Sequence, residues 1–151
     1  LFSRTRRLNF CWTDFSEAAA ASLFERLPYL ESVNLGANRN RVVGANTAAI
    51  KSLTEHCIYI KELTVSLQQI SESVLCETIA HYGPQLHKLS IRCDGRETLK
   101  SVAQHATHVK NLTIRAAEED HGSIVGILQR CRELVHLEMV SWMVQDVPTV
   151  V

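Results

Sequence analysis

The sequence has little of what marks a membrane or nucleic-acid-binding protein. No apolar run in its 151 residues approaches roughly 20 residues, the length that a membrane-spanning helix needs. The 16 basic and 16 acidic residues give a formal net charge of +0, so no overall field favours nucleic acid or an anionic membrane. We therefore expect no nucleic acid and no membrane among its partners, and a cytoplasmic or nuclear location.

Cysteine is present, but not in an arrangement typical of disulfides or zinc sites. The 5 cysteines are odd in number and contain no CxxC pair, which indicates reduced thiols rather than a disulfide framework. His105 and His108 have a spacing that metal ligands can use, but no Cys, Asp or Glu stands near them at ligand spacing. We interpret both as helix-end and turn residues, and we expect no metal and no cofactor.

Arrangements typical of catalysis are missing as well. The sequence contains no glycine-rich phosphate loop. No nucleophile, base and orienting acid fall into a recognisable constellation. The sequence therefore predicts a binding protein rather than an enzyme.

An internal repeat dominates the chain. The spacing Lxx(L/V)x(L/V/I) occurs in "LESVNL" (30–35), "IKELTV" (60–65), "LHKLSI" (86–91), "VKNLTI" (109–114) and "LVHLEM" (134–139), with a partial copy in "RRLNF" (6–10). The central residue of each copy stands at position 8, 33, 63, 89, 112 or 137, so the successive intervals are 25, 30, 26, 23 and 25 residues. A period this regular indicates a repeat architecture.

Apolar residues also recur upstream of the repeated spacing. Ten residues before the central positions from 33 onward stand Leu23, Leu53, Ile79, Val102 and Ile127. Further small or apolar residues stand thirteen and six residues before the same central positions. The three upstream positions are thus three, four and seven residues apart, which is the spacing of the apolar side of an amphipathic helix. The central residue and the one two beyond it form the inward face of a short strand. Each unit is predicted to be helix, turn and strand, and units of this size must stack to share a core.

Local signals predict where the helices start and stop. Asp14 with Glu17 and Asp94 with Glu97 resemble capping boxes in which Asp is the cap. Gly83 followed by a proline predicts a helix end. Cys57 and Cys131 occupy the same position six before a central residue, which favours small buried side chains at a helix end over reactive thiols.

A period of 20 to 29 residues with LxxLxL and one helix per unit resembles the leucine-rich repeat. "CIYIKELTV" (57–65) and "CRELVHLEM" (131–139) more narrowly resemble the cysteine-containing subtype found in the repeat regions of F-box proteins, and "LFSRTRRLNF" (1–10) is similar to the segment with which fungal examples begin. The resemblance implies an α/β leucine-rich-repeat solenoid, a horseshoe with a parallel concave sheet and convex helices. We expect residues 1–151 to be a single domain of about five to six repeats and a fragment of a longer solenoid.

The resemblance also implies a function, which is protein recognition as the substrate-binding part of an F-box-like SCF ubiquitin-ligase receptor. A protein substrate would bind the concave face, and the SCF adaptor would bind only through an F-box outside this chain. The alternative is a leucine-rich-repeat scaffold or sensor unrelated to ubiquitin. A small-GTPase activator is a third alternative that fits less well, because those repeats resemble a longer and more regular unit.

The predicted contact residues are the outward positions of the strands and one loop. Arg92 and Arg115 are expected side by side on adjacent strands, with Lys88 on the same face, where paired guanidinium groups match carboxylate or phosphate oxygens. The loop "GANRNRVVGAN" (36–46) adds Arg39 and Arg41 at the rim. The remaining predicted contacts are Glu62, Thr64, Asn111, Thr113, His136 and Glu138.

Overall fold

The computed structural model describes residues 3–10, 16–36, 44–66, 70–93, 95–116 and 121–141. Within these ranges, strand and helix alternate from the first element to the last. The strands are β1 (Arg7–Asn9), β2 (Ser32–Leu35), β3 (Glu62–Val65), β4 (Lys88–Cys93), β5 (Asn111–Ala116) and β6 (His136–Ser141). The helices are α1 (Glu17–Ser22), α2 (Ala45–His56), α3 (Glu72–Tyr82), α4 (Arg96–His105) and α5 (His121–Arg130).

The described strands form one six-stranded parallel sheet in which the strand order equals the chain order. One helix lies between each strand and the next along the chain, which makes the protein α/β. The pairing register aligns the central residues of all the repeat copies, Leu8, Val33, Leu63, Leu89, Leu112 and Leu137. The alignment predicted from the repeat is therefore the alignment of the sheet.

One face of the sheet and the helices share a single hydrophobic core. In β3, Leu63 and Val65 are buried, as are the equivalent pairs in β2, β4 and β5. The helices cover this face with the predicted stripe, of which Leu53, Ile79, Val102 and Ile127 are buried. Burying an apolar side chain of this size gains roughly 1.5–3 kcal/mol, so a core that runs through every unit stabilises them together.

The turns that lead from helix to strand also contribute to the core. Three residues before the central positions, Leu30, Ile60, Leu86 and Val109 are all buried. Helix α3 ends at Tyr82, and Gly83–Gln85 form a single 3-10 turn before the chain enters β4. The helix stop predicted at Gly83 is confirmed.

The helix starts differ from the predicted capping boxes. Helix α1 follows the N-cap Ser16, whose Oγ accepts a hydrogen bond from the Ala19 amide at 3.1 Å. Helix α4 follows Gly95, which offers no side chain as a cap. Asp14 and Asp94, which the sequence predicted as N-caps, lie outside the described residues, and the N-cap positions of the described helices are Ser16 and Gly95.

Glu72, the first residue of α3, takes over the capping of α4. Its Oε1 accepts hydrogen bonds from the Thr98 amide at 3.1 Å and from the Thr98 hydroxyl at 3.3 Å. A methyl group at Gly95 would collide with this carboxylate, so the glycine makes room for it. A carboxylate at a helix N-terminus is favourable because the amide groups there are unpaired and carry positive charge. Glu97, predicted to close a capping box, instead pairs with the Lys100 Nζ at 3.2 Å.

Candidate functional site

The second face of the sheet carries mainly polar side chains, and we call it the polar face. In β5 the burial alternates along the strand, so Asn111 and Arg115 are exposed while Leu112 and Ile114 are buried. Side chains alternate between the two sides of any strand, and the polar face follows from this alternation. Row by row across the sheet, the polar face carries Arg7, Ser32, Glu62, Lys88, Asn111 and His136, then Asn9, Asn34, Thr64, Ser90, Thr113 and Glu138.

The structure places the predicted strand contacts together on the polar face. These residues are Glu62, Thr64, Lys88, Arg92, Asn111, Thr113, Arg115, His136 and Glu138. The two predicted rim residues, Arg39 and Arg41, lie outside the described residues. The sequence pattern therefore predicted the position of every strand residue in the set.

Arg92 and Arg115 are direct neighbours in the pairing of β4 with β5. Adjacent strands lie about 4.8 Å apart, so the two side chains start from neighbouring positions on one face. Lys88 precedes Arg92 on β4 and points to the same side of the sheet. The hydroxyl groups of Ser90 and Thr113 lie between Lys88 and the two arginines. We call these five residues together with Asn111 the β4–β5 array; it combines three cations with hydroxyl and amide groups.

Nearby carboxylates on the polar face are paired with other groups. The Glu62 Oε2 lies 3.8 Å from Arg7 Nη2, and the Glu138 Oε2 lies 3.8 Å from His136 Nε2. Both pairs are exposed to solvent, where an ion pair contributes little to stability. The β4–β5 array contains three cations and no carboxylate, and carboxylates border it, because Glu62 pairs in register with Lys88 and Glu138 with Thr113.

A shallow hollow of about 330 Å³ lies on the polar face beside the array. Ser32, flanked in register by Arg7 and Glu62, has the small side chain that leaves this space open. Asn34 forms part of the lining, and its Oδ1 accepts a hydrogen bond from the Gly36 amide at 2.8 Å, which orients the side-chain amide. The sequence analysis placed these residues on the face but did not predict a hollow, because depth depends on how side chains from several strands pack.

Two of the described cysteines, Cys57 and Cys131, do not offer a nucleophile at neutral pH. Burial raises the pKa of the Cys57 thiol to about 11. Burial also raises the pKa of the Cys131 thiol. Because only the thiolate is nucleophilic, both groups are inert near pH 7. Both side chains are buried at helix ends, as the sequence predicted.

The histidines that were considered as metal ligands have other roles. His105 is the last residue of α4, and His108 lies in the following turn. The His108 Nδ1 lies 2.9 Å from the Glu133 Oε2 of the next unit, so the ring joins two turns. Among the described residues, no group of three or more His, Cys, Asp or Glu is placed to hold a metal ion.

Two exposed tyrosines form a feature that the sequence analysis did not identify. The rings of Tyr29 and Tyr59 stack with their centroids 6.4 Å apart. Both residues stand four before a central position, in "LPYL" (27–30) and "CIYI" (57–60). A signal was present, because the same residue type recurs at the same position of consecutive units.

No protein-family model matches the chain, and no curated protein matches it. In the described part of the chain, no helix is both long enough and apolar enough to cross a membrane.

Proposed function

We propose that the chain is a leucine-rich-repeat solenoid whose polar face recognises a partner protein. The period of about 25 residues and the in-register parallel sheet with one helix per unit support this proposal. In such a horseshoe, the polar face is the concave side and the helices form the convex side. A rigid sheet that presents polar side chains is suited to binding a protein surface, whereas catalysis benefits from a dry pocket.

The observation that carries the proposal is the β4–β5 array. Arg92 and Arg115 in register, with Lys88 and two hydroxyl groups on the same face, match the oxygens of an acidic or phosphorylated segment. The array concentrates three cations on one part of the polar face.

The more specific proposal is a substrate receptor of an SCF ubiquitin ligase. The CxxLxxLxL spacing of "CIYIKELTV" and "CRELVHLEM" supports it, because that spacing resembles F-box repeat regions. In that role, an F-box outside this chain would bind the SCF adaptor. A scaffold or sensor unrelated to ubiquitin is the alternative, and it would use the same polar face.

The recognition proposal is tested with charge-reversed variants and a matched control. The variant Arg92→Glu with Arg115→Glu is compared with Lys100→Glu with Arg130→Glu, which makes the same charge change on the exposed helix side. Proteins captured from cell extract are quantified by mass spectrometry, and thermal unfolding checks that both variants fold. We expect the first variant to lose specific partners that the second retains. Equal capture by both variants would show that the two arginines are not part of the binding surface.

The ubiquitin proposal needs a separate experiment. The full-length protein, including the sequence upstream of residue 1, is co-purified with the SCF adaptor in parallel with residues 1–151 alone. We expect the adaptor to accompany the full-length protein and not the shorter chain. If the full-length protein does not bind the adaptor, the receptor proposal is wrong and the scaffold alternative is favoured.

A further inference from the structure

The large apolar side chains that are exposed in the described part of the chain fall into two groups. One group belongs to α5 and β6 and the residue before β6, with Val125, Leu128, Val135 and Val140. The other group consists of Tyr29, Ile58 and Tyr59, which are 46%, 58% and 49% exposed. We call the second group the tyrosine patch.

The position of the first group in the sheet accounts for its exposure. Strand β6 is an edge strand of the described sheet, so its side chains have neighbours on one side only. Leu137 and Met139 are accordingly half-buried, although Leu112 and Ile114 at the same positions of β5 are fully buried. An edge of a repeat stack exposes apolar groups without any need for a partner at that place.

The position of the tyrosine patch does not account for its exposure in the same way. Tyr29 precedes β2, and Ile58 and Tyr59 precede β3, two strands that each have a paired neighbour on both sides. The two rings are stacked with an angle of 22° between their planes. Exposed tyrosines that keep a fixed arrangement are typical anchors of protein interfaces, because they bury a large area with little loss of conformational entropy.

Hydrogen bonds hold the turn that carries the patch. The Gln85 Nε2 donates to the carbonyl oxygens of Ile58 at 2.8 Å and Ile60 at 2.7 Å, which flank Tyr59 on both sides. The Tyr82 hydroxyl lies 2.6 Å from the carbonyl oxygen of Cys57, the residue before Ile58. A surface that is already ordered loses less entropy when a partner binds.

Basic residues lie beside the patch, at the points where the strands begin. The residues that stand two before the six central positions are Arg6, Glu31, Lys61, His87, Lys110 and Val135. The Glu31 carboxylate lies 3.5 Å from Arg6 Nη1 and 3.9 Å from Lys61 Nζ, so it is shared between two cations. This row of described residues has a net positive charge, which disfavours a second copy of the same surface and favours an acidic partner.

We propose that the tyrosine patch is a docking site for a short acidic segment of another protein, which places an apolar side chain against Tyr29, Ile58 and Tyr59. Three side chains are too few for a standard interface between folded proteins, which involves about 20–30 residues a side, but they are enough to anchor a short segment. The site is separate from the polar face, so its occupant need not be the partner proposed for the β4–β5 array.

The test uses a phage-displayed library of random 12-residue peptides, selected on the intact chain. Counter-selection uses the variant Tyr29→Ser with Ile58→Ser and Tyr59→Ser. We expect the selected peptides to combine acidic residues with a proline or a large apolar residue. Synthetic versions, measured by fluorescence anisotropy, should bind the variant about tenfold more weakly or worse, because interface anchors dominate affinity. Peptides that are basic or bind both proteins equally would overturn the proposal.

Two control variants separate the patch from general stickiness and from misfolding. Val125→Ser with Leu128→Ser removes exposed apolar groups of the other set and should leave peptide affinity unchanged. Lys61→Glu leaves the tyrosines in place and should weaken binding through charge alone; an unchanged affinity would contradict the acidic partner. Sedimentation equilibrium tests the alternative that a second copy of the chain binds the patch. A dimer of the intact chain that is lost in the serine variant would show that the second copy binds there instead of an acidic segment.

Discussion

The Sγ atom of Cys57 donates a hydrogen bond to the carbonyl oxygen of Leu27 at 3.1 Å. Leu27 is the residue at the same position one unit earlier, six before its central residue. Cys131 repeats the relationship, since its Sγ lies 3.4 Å from the carbonyl oxygen of Ala106, which is again the equivalent residue of the preceding unit. Cys57 and Cys131 therefore each link the end of one helix to the preceding unit.

Replacing Cys57 by alanine should destabilise the protein. The substitution removes a buried sulfur and its hydrogen bond to the Leu27 carbonyl, which keeps only the long bond from the Leu30 amide, and the expected loss is about 1–3 kcal/mol in the free energy of unfolding. Urea denaturation followed by circular dichroism measures this loss. Cys76→Ala is the matched control, because Cys76 is only half-buried, and its expected change stays within about 0.5 kcal/mol. Similar losses in both variants would show that the link contributes nothing.

Tyr82→Phe tests a second link between units. The Tyr82 hydroxyl lies 2.9 Å from the carbonyl oxygen of Leu53 and 2.6 Å from that of Cys57, and both carbonyls belong to the end of α2. Phenylalanine keeps the ring but removes the hydroxyl donor from the buried Cys57 carbonyl, while the Leu53 carbonyl keeps the Cys57 amide as a donor, and the change should cost about 1–3 kcal/mol. Tyr59→Phe, at an exposed ring, should leave the unfolding free energy almost unchanged in the same assay.

Two glycine-to-alanine substitutions should change the stability of the protein in opposite directions. A Cβ at Gly83 would lie 2.6 Å from the backbone oxygen of His105, so the units must move apart, at a cost of about 1–3 kcal/mol. A Cβ at Gly126 in α5 meets no atom within 4 Å, and alanine there should add about 0.5–1 kcal/mol because glycine is a poor helix former. Thermal unfolding should therefore shift down for Gly83→Ala and up for Gly126→Ala; two shifts of the same sign would contradict the packing.

Stability should fall in alkaline solution above about pH 9, through Cys57. Its pKa rises from 9.0 to about 11 on folding because burial disfavours the thiolate. The contribution is fully present below pH 9, and it is lost as pH rises toward 11 because the unfolded chain then releases a proton that the folded chain keeps. The slope reaches about 1.4 kcal/mol per pH unit for one group. Burial also raises the pKa of the Tyr82 hydroxyl, which extends the decline to higher pH.

Urea denaturation from pH 7 to 11 measures this decline. Cys57→Ala should give a shallower curve between pH 9 and 11, because the variant lacks the group that titrates. Superimposable slopes for the two proteins would assign the alkaline loss to other residues.

Periodicity in the sequence was enough to predict the sheet and its polar face. The central residues from Leu8 to Leu137 align in register as predicted, and alternation then places Arg92 beside Arg115. The register and the placement of the arginines depend only on which side of each strand or helix is apolar. The spacing of apolar residues along the sequence shows this directly. The same logic predicted that Cys57 ends a helix and that Ile60 is buried in the turn.

Contacts between units were not predictable in the same way. Glu72 caps a helix that starts 24 residues later, and Gln85 donates to carbonyls 25 and 27 residues earlier. A capping box is a local pattern, so the sequence favoured Asp94 although a side chain from the neighbouring helix satisfies the amide groups of α4. The exposure of Tyr59 was missed for a related reason, since Cys57 and Ile60 on either side of it are buried and only the turn geometry directs its ring outward.

The agreement between strand order and chain order has a consequence for how the protein is made. Every strand finds its partner in the strand synthesised just before it, so no pairing has to wait for a distant part of the chain. Partner positions in consecutive strands are 23 to 30 residues apart, which limits the entropy of closure, and chains emerge from the ribosome from the N-terminus onward. Each new unit of the described sheet can therefore fold against the unit made just before it.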